Sequence, residues 1–502
     1  MDKAAHIKRN LKFAIAGELL LAALKFLSRR AFVILLGREY LGLNGLFTDI
    51  LSVLSLAELG FSVSITYSFY HPVAEGNTEM VKSLVRLYRR VYQAVGLIVF
   101  ALGLSLTPFL SFFVKEMPKN IPNIALIYIL NLVNASISYF FAYKSTLLFV
   151  HQKKYIETSI RAAVSLVATA AQIAVLFLSR NYLYYMYLAI VATVVQNVSV
   201  SMQADRCYPY LREKDVRPLP REIMEEIHRN VRAMLLHRVG AIAVFNTDNL
   251  LISKFVGVAA AGLYSNYMMI RGFLNMMVNA LFDAITPVLG NLTATGTEDS
   301  KQEAFCRLSF FSAWLFGWMS ICLFCLYDPF IDLWLGKGYL LSKSAVLLIV
   351  LNFYVSSMRI PVNNTKSVLG LFWDDRYKSI VEAAFNLAVS VPLAMRWGVE
   401  GIMAGTLIST FAFPFWCEPL VLYSRGLHMP ARKYFANYLI HLIITVAAGV
   451  LTWILCGFTS GGVTGLIWKA MICAVAPNLV FWVSYHQTRE FAFLTKKLFE
   501  LL

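Results

Sequence analysis

Apolar stretches long enough to cross a lipid bilayer recur along the whole chain. A helix needs about 20 apolar residues to span the hydrocarbon core, and fourteen segments of that kind can be drawn. They cover residues 13–36, 41–69, 87–114, 121–149, 156–178, 182–202, 231–255, 258–289, 305–326, 344–368, 380–395, 401–422, 434–456 and 466–485. Composition agrees, because 58% of the residues are hydrophobic and 15% are charged, whereas soluble domains average about 45–50% and about 25%. The sequence therefore predicts an all-α polytopic membrane protein with fourteen transmembrane helices.

Lysine and arginine concentrate in one alternate set of the loops between these segments, which includes the N-terminal and C-terminal ends. Because cytoplasmic loops carry the excess of basic residues, both termini are expected in the cytoplasm. The net charge of +16 is then a signal of topology and of contact with anionic lipid, and not of a nucleic-acid surface. No cleavable signal peptide is expected, since no small-residue cleavage site follows a short apolar core in the first segment.

Several residues of the first half of the chain recur in the same order in the second half. Gly37, Gly42 and Leu43 match Gly257, Gly262 and Leu263, and the pair Arg86 and Pro108 matches Arg307 and Pro329 with equal internal spacing. Six predicted helices lie in each copy, so the two copies enter the membrane in the same direction, as parallel repeats do. This arrangement suggests alternating access through a cavity between two lobes; a repeat that serves assembly alone is the other interpretation.

The repeat predicts the domain organisation. Residues 1–202 form an N-lobe of six helices, 203–230 a charged cytoplasmic linker, and 231–422 a C-lobe of six helices. Residues 434–485 add two transmembrane helices outside the repeat. Residues 486–502 place Phe491, Leu494 and Leu498 at helical spacing, which predicts an amphipathic helix on the inner membrane surface; a disordered tail is the alternative.

Several basic side chains fall near the middle of predicted membrane helices, where charges are costly and usually face a cavity. These are Lys25, Arg29, Arg30, Arg271 and Arg359. They outnumber the central acidic residues Glu58 and Asp248, which predicts a cationic cavity that attracts an anion. Because a guanidinium can pair with two phosphate oxygens at once, we hypothesise that the five basic residues bind a diphosphate.

Other polar residues in these helices are candidates for lining the cavity or coupling an ion. They are Glu58, Asp248, Asp283, Asn352, Asn363 and Lys366. Some of the charged residues could instead be buried ion pairs, such as Glu58 with Lys25 or Arg29. Cys322 and Cys325 have C-x-x-C spacing inside an apolar segment with no second pair, so core packing is favoured there and no metal site is predicted.

The stretch from Arg38 to Gly60, REYLGLNGLFTDILSVLSLAELG, resembles the opening of bacterial polysaccharide flippases. These are the O-antigen, capsule and teichoic-acid exporters of the multidrug/oligosaccharidyl-lipid/polysaccharide superfamily. The resemblance implies a V-shaped pair of lobes in the bacterial cytoplasmic membrane and undecaprenyl-diphosphate-linked oligosaccharide as substrate, with glycosyltransferases and a polymerase of the same pathway as partners. Lys25, Arg29, Arg30 and Arg271 fit the pattern of basic cavity residues in related lipid II flippases.

The implied protein is a transporter with no catalytic residues and no cofactor. Moving two negative charges outward across 100 mV is favourable by about 4–5 kcal/mol, so the membrane potential could drive it; a cation gradient is the other candidate. Two different functions stay open at this point. One is a multidrug-and-toxin cation antiporter of the same superfamily, and the other is a membrane-embedded polysaccharide polymerase or ligase.

Overall fold

The computed structural model describes residues 3–55, 68–69, 71–73, 75–118, 120–151, 153–213, 216–225, 227, 231, 247–295, 297–371 and 377–501. Every regular element among these residues is a helix. The α-helices are α1 (Lys3–Leu36), α2 (Arg38–Leu54), α3 (Thr78–Leu106), α4 (Ile124–Tyr139), α5 (Ala142–Val150), α6 (Lys154–Ser179), α7 (Tyr182–Cys207), α8 (Thr247–Leu251), α9 (Val258–Thr295), α10 (Glu298–Leu335), α11 (Lys343–Met358), α12 (Ile360–Val368), α13 (Lys378–Ala412), α14 (Pro414–Val421), α15 (Arg432–Gly457), α16 (Gly462–Tyr485) and α17 (Arg489–Leu501).

Eight helical stretches of the described residues are long and apolar enough to cross a membrane. They comprise α3, α6, α7, α10, α11 with α12, α13 with α14, α15 and α16. A ninth is added when α4 and α5, which are bent by 49° relative to each other, count as one span. The all-helical membrane architecture is thus confirmed, while the predicted segments 41–69 and 231–255 run into residues outside the described ranges.

Helix α13 reverses direction at Gly398, whose backbone is not helical (φ 57°, ψ −127°). The amide nitrogen of Asn386 donates to the Thr406 hydroxyl at 3.1 Å and to the Ser409 hydroxyl at 3.2 Å. In a straight helix, residues 20 apart would be about 30 Å apart, so the two arms of α13 must lie side by side. This turn falls between the predicted segments 380–395 and 401–422.

The chain divides into two compact units, residues Met1–Gly262 and Leu263–Leu502. The first unit has an aromatic-rich core around Tyr88, Leu147 and Tyr208. In the second unit, one core gathers around Phe316 and Tyr434, and another lies between α10, α15 and α16. Apolar side chains also cover the outside of these helices, as lipid contact requires.

The two repeated glycine turns have the same backbone character. Gly37 (φ 88°) precedes α2 and Gly257 (φ 135°) precedes α9, a conformation that glycine adopts without steric cost. Within the first unit, the start of α9 then packs directly on α2: a Cβ at Gly42 would lie 1.8 Å from the Val258 carbonyl oxygen. The repeated spacing therefore marks a helix crossing as well as a turn.

The described part of the predicted linker contacts the start of α3 through an ion pair and a hydrogen bond. Lys82 lies 2.6 Å from Glu213, and the Ser83 hydroxyl donates to the Arg217 carbonyl at 2.7 Å.

The C-terminal segment is helical, as predicted. In α17 the ring of Phe491 stacks on Trp314 at 5.7 Å, and Arg307 lies 3.6 Å above the ring of Phe493.

Candidate functional site

The basic residues of α1 share one helix of the first unit. Lys25 and Arg29 are four residues apart and therefore lie on the same face. Lys25 and Arg30 are exposed, and Arg29 is half-buried. Among the described residues, no ion pair is recorded for Lys25 or Arg30. Their side chains are exposed on the surface of α1.

Arg29 lies in an aromatic environment that α7 supplies. Arg29 interacts electrostatically with Tyr185, and the hydroxyls of Ser28 and Tyr185 are 3.4 Å apart. Phe32, one turn further along α1, packs edge-on against Tyr182 and Tyr185 at 5.4 and 5.5 Å. This packing fixes the α1 backbone next to the guanidinium and positions it.

Arg271 is the basic residue that α9 contributes in the second unit. Its Nη2 donates to the Ser356 hydroxyl on α11 at 3.1 Å, and its Nε is buried without a hydrogen-bond partner among the described residues. A buried donor without a partner is costly, so a ligand oxygen at this position would remove the penalty. Ser356 is three residues before Arg359, which brings two of the predicted cations to the same end of α11.

Arg359 is occupied by carboxylates. Its Nε and Nη2 donate to the two oxygens of Glu418 at 2.9 and 2.7 Å, and its Nη1 donates to Glu382 at 3.2 Å. Lys378 lies 2.5 Å from Glu418, which is fully buried. Two cations and two anions thus balance each other between α11, α13 and α14. The ion-pair interpretation fits Arg359 better than the diphosphate role assigned to it from the sequence.

The other candidate cavity residues of α11 and α12 are Asn352, Asn363 and Lys366. Asn352 is buried, and its amide donates to the carbonyls of Leu348 and Met403 at 2.9 and 2.8 Å, which ties α11 to α13. Lys366 is buried and Asn363 is half-buried on α12. Asn352 is therefore a packing residue, because both of its donors are used within the protein.

The predicted acidic residues are only partly described. Glu58 and the side chain of Asp283 lie outside the described residues, and Asp248 is half-buried on α8. Asn249, the residue after Asp248, donates its side-chain amide to the carboxylate of Asp49 on α2. Asp49 is not among the residues predicted from the sequence. Asp49 belongs to the resembling stretch from Arg38 to Gly60, yet its partner is 200 residues away and no local pattern indicates it.

Solved structures with a similar fold include a lipid II flippase and multidrug transporters. Lipid II flippase MurJ in an inward closed conformation has a TM-score of 0.64 at 11% identity, over 95% of this chain and 99% of that one. A variant of the MATE transporter VcmN from Vibrio cholerae has a TM-score of 0.58 at 14% identity, over 84% and 98%. An inward-facing multidrug resistance MATE family transporter of the MOP superfamily scores 0.55 at 15% identity, over 81% and 96%. No curated protein sequence matches this chain.

The fold therefore defines the class: a polytopic α-helical membrane protein with the fold of these transporters. Within that class the family model described as "Polysaccharide biosynthesis protein" matches residues 93–344, half of the chain. The chain belongs to this polysaccharide biosynthesis protein family. The family resemblance seen between Arg38 and Gly60 is thereby confirmed, by a match over residues 93–344, which do not include that stretch.

Proposed function

We propose that the protein is a flippase that moves undecaprenyl-diphosphate-linked oligosaccharide repeat units from the cytoplasmic to the outer leaflet. Family membership supports a role in polysaccharide biosynthesis, and the fold supports transport over catalysis. The observation that supports the proposal is a set of cations on α1 and α9: Lys25 and Arg30 are exposed on α1, and the Nε of Arg271 on α9 is buried without a hydrogen-bond partner among the described residues.

In the proposed cycle the cations of both six-helix repeats line one central cavity of a V-shaped, fourteen-helix protein. Arg29 and Arg271 bind the diphosphate while the lipid tail stays in the bilayer, and α15 and α16 flank the tail. The lobes, residues 1–202 and 231–422, then rock to expose the cavity to the other side. Arg359 acts within its ion-pair network and not on the substrate.

The proposal places the protein in the bacterial plasma membrane with both termini in the cytoplasm. With the cytoplasm negative, outward movement of two negative charges gains about 4–5 kcal/mol at 100 mV, so no cofactor is needed. A cation exchanged through Asp248 or another acidic residue is the alternative energy source. Glycosyltransferases and a polymerase of the same pathway supply and consume the substrate.

The proposal is tested by replacing Arg29 and Arg271 with alanine, singly and together, in the producing cell. We expect the double variant to lose surface polysaccharide and to accumulate lipid-linked oligosaccharide, while its amount in the membrane stays unchanged. The matched control is Arg221→Ala, an exposed arginine paired only with the exposed Glu225, which should export normally. Normal export by the double variant would refute the diphosphate role.

A multidrug cation antiporter is the second candidate, because MATE transporters share the fold at TM-scores of 0.58 and 0.55. A cavity for cationic drugs favours acidic side chains, whereas the accessible charges on α1 are basic. Drug susceptibility of a deletion strain separates the two functions: unchanged susceptibility with lost polysaccharide supports the flippase, and the reverse supports the antiporter.

A further inference from the structure

Three cysteine side chains from three different helices meet in the second unit. Cys325 of α10, Cys456 of α15 and Cys473 of α16 have sulfur atoms that all lie within 4.8 Å of one another. All three are free thiols and are buried, with 5%, 4% and 1% of their surface exposed. The C-x-x-C spacing of Cys322 and Cys325 on α10 gave no sign of this cluster, because its other members come from helices more than 130 residues further along the chain.

We propose that Cys325, Cys456 and Cys473 form a binding site for a soft, thiophilic cation, with Cu(I) as the ion that three sulfur ligands fit best. Three sulfurs around one metal ion at about 2.3 Å would be about 4 Å apart, which the observed cluster reaches with small side-chain rotations. Thiolates select Cu(I) and zinc among biological metals, and structural zinc sites almost always have four ligands.

The chain segments that carry the three cysteines also line a cavity. It has a volume of about 360 Å³ and is lined by Asp328, Asp332, Ser460 and Lys469 among other residues. Each of the three helices or its following loop places a cavity residue three or four positions from its cysteine: Asp328 from Cys325, Ser460 from Cys456, and Lys469 from Cys473. One helical turn is about 5.4 Å, so the thiols lie about one turn below the cavity.

The charges around this cavity suit the arrival and retention of a cation. The carboxylates of Asp328 and Asp332 line it and attract positive ions. When the metal binds, each of the three thiols loses its proton, so one Cu(I) with three thiolates bears a net charge of −2. Lys469, whose Nζ donates to the Thr459 hydroxyl at 2.7 Å, offsets part of that charge from one turn away.

Metal binding would join α15 and α16 to α10 by coordinate bonds. The three helices already share an apolar core in which Trp318 Nε1 donates to the Cys473 carbonyl at 2.9 Å. An ion bound there stabilises the folded protein, by a free energy that grows with the logarithm of the ion concentration once this exceeds the dissociation constant. Stabilisation by Cu(I) is independent of whether the protein moves lipid-linked sugar.

The test is an anaerobic titration of the purified full-length protein with Cu(I) against a chromogenic Cu(I) chelator. We expect one Cu(I) per chain, and at least tenfold weaker retention in each of Cys325→Ser, Cys456→Ser and Cys473→Ser. Cys306→Ser is the matched control: Cys306 is a free cysteine of the same helix, α10, and lies outside the cluster. This variant should bind Cu(I) like the wild type.

A second readout guards against a variant that fails to fold. Cu(I) should raise the midpoint of thermal unfolding of the wild type and of Cys306→Ser, but not of Cys456→Ala, in the same detergent. Undiminished Cu(I) binding by Cys473→Ser would overturn the proposal. So would a wild-type protein that binds no Cu(I), including one that is found with a disulfide between two of the three cysteines.

Discussion

Arg359 shows how a charge inside a membrane helix can be structural. Its guanidinium is shared between Glu382 and Glu418, and Lys378 completes a balanced set of two cations and two anions. Removing one partner of a buried pair leaves an uncompensated charge, which typically costs about 3–5 kcal/mol. The sequence predicted Arg359 as a diphosphate-binding residue. Its partners Glu382 and Glu418 are 23 and 59 residues away, so no local pattern connects them.

The network predicts a specific pattern of stability. Arg359→Met and Glu418→Gln should each lower the midpoint of thermal unfolding strongly, while the double variant should lose less than the sum of the two. The reason is that the double variant leaves Lys378 and Glu382 as a neutral pair. Unfolding of the four proteins in one detergent measures this, with Arg221→Ala as an exposed-pair control that costs about 1 kcal/mol or less. Additive losses would contradict a shared network.

Arg271 and Asn352 look alike in the sequence but have different environments in the structure. Both were singled out as polar residues in apolar helices, which is the only signal that sequence carries. Within the part of the chain that the structure describes, a donor of Arg271 has no partner, whereas both amide donors of Asn352 are used in helix packing. Only the positions of neighbouring helices distinguish a residue available to a ligand from one that serves packing.

At the scale of helices, the crossing of α2 and α9 depends on small residues. A Cβ at Gly42 would lie 1.8 Å from the Val258 carbonyl oxygen, and one at Gly262 would lie 2.4 Å from the Arg38 carbonyl oxygen. The sequence predicted the equivalence of these glycines from their repeated spacing, since turn glycines leave a local pattern. It did not predict that the two sites touch, because their contact joins residues that are distant along the chain.

Gly42→Ala should therefore destabilise the protein by about 1–3 kcal/mol through overpacking. The matched control is Gly272→Ala in α9, where no atom lies within 4 Å of the added Cβ; alanine is the better helix former by about 1 kcal/mol, so this variant should be neutral or more stable. Thermal unfolding of the two variants beside the wild type checks the expectation. A Gly42→Ala protein as stable as Gly272→Ala would exclude the close approach of the two helices.

For the whole molecule, the sequence predicted the helical membrane class and the polysaccharide-related family, and both are confirmed. Apolar length and composition are properties of each segment alone, so they can be recognised without neighbours. The turn at Gly398 was also placed correctly between segments 380–395 and 401–422. The ion pairs and the cysteine cluster could not be predicted, because each depends on which helices pack together.

The predicted membrane topology has its own test. Reporter fusions placed after Gly338 and after Gly398 should give active alkaline phosphatase, since both loops are expected outside the cytoplasm. A fluorescent protein fused after Thr297 or at the C-terminus should be bright, because it folds in the cytoplasm. The opposite pattern at either set of sites would reverse the orientation and, with it, the proposed direction of transport.

The measurement that tests the central claim most directly is flipping by the purified protein in liposomes. Undecaprenyl-diphosphate-linked oligosaccharide would be followed from one leaflet to the other, with and without an applied membrane potential. We predict rapid movement with the wild type and with Arg221→Ala, faster when the destination side is positive, and at least tenfold slower movement with the Arg29→Ala, Arg271→Ala double variant. Movement by the double variant at the wild-type rate would contradict the claim that these arginines bind the diphosphate.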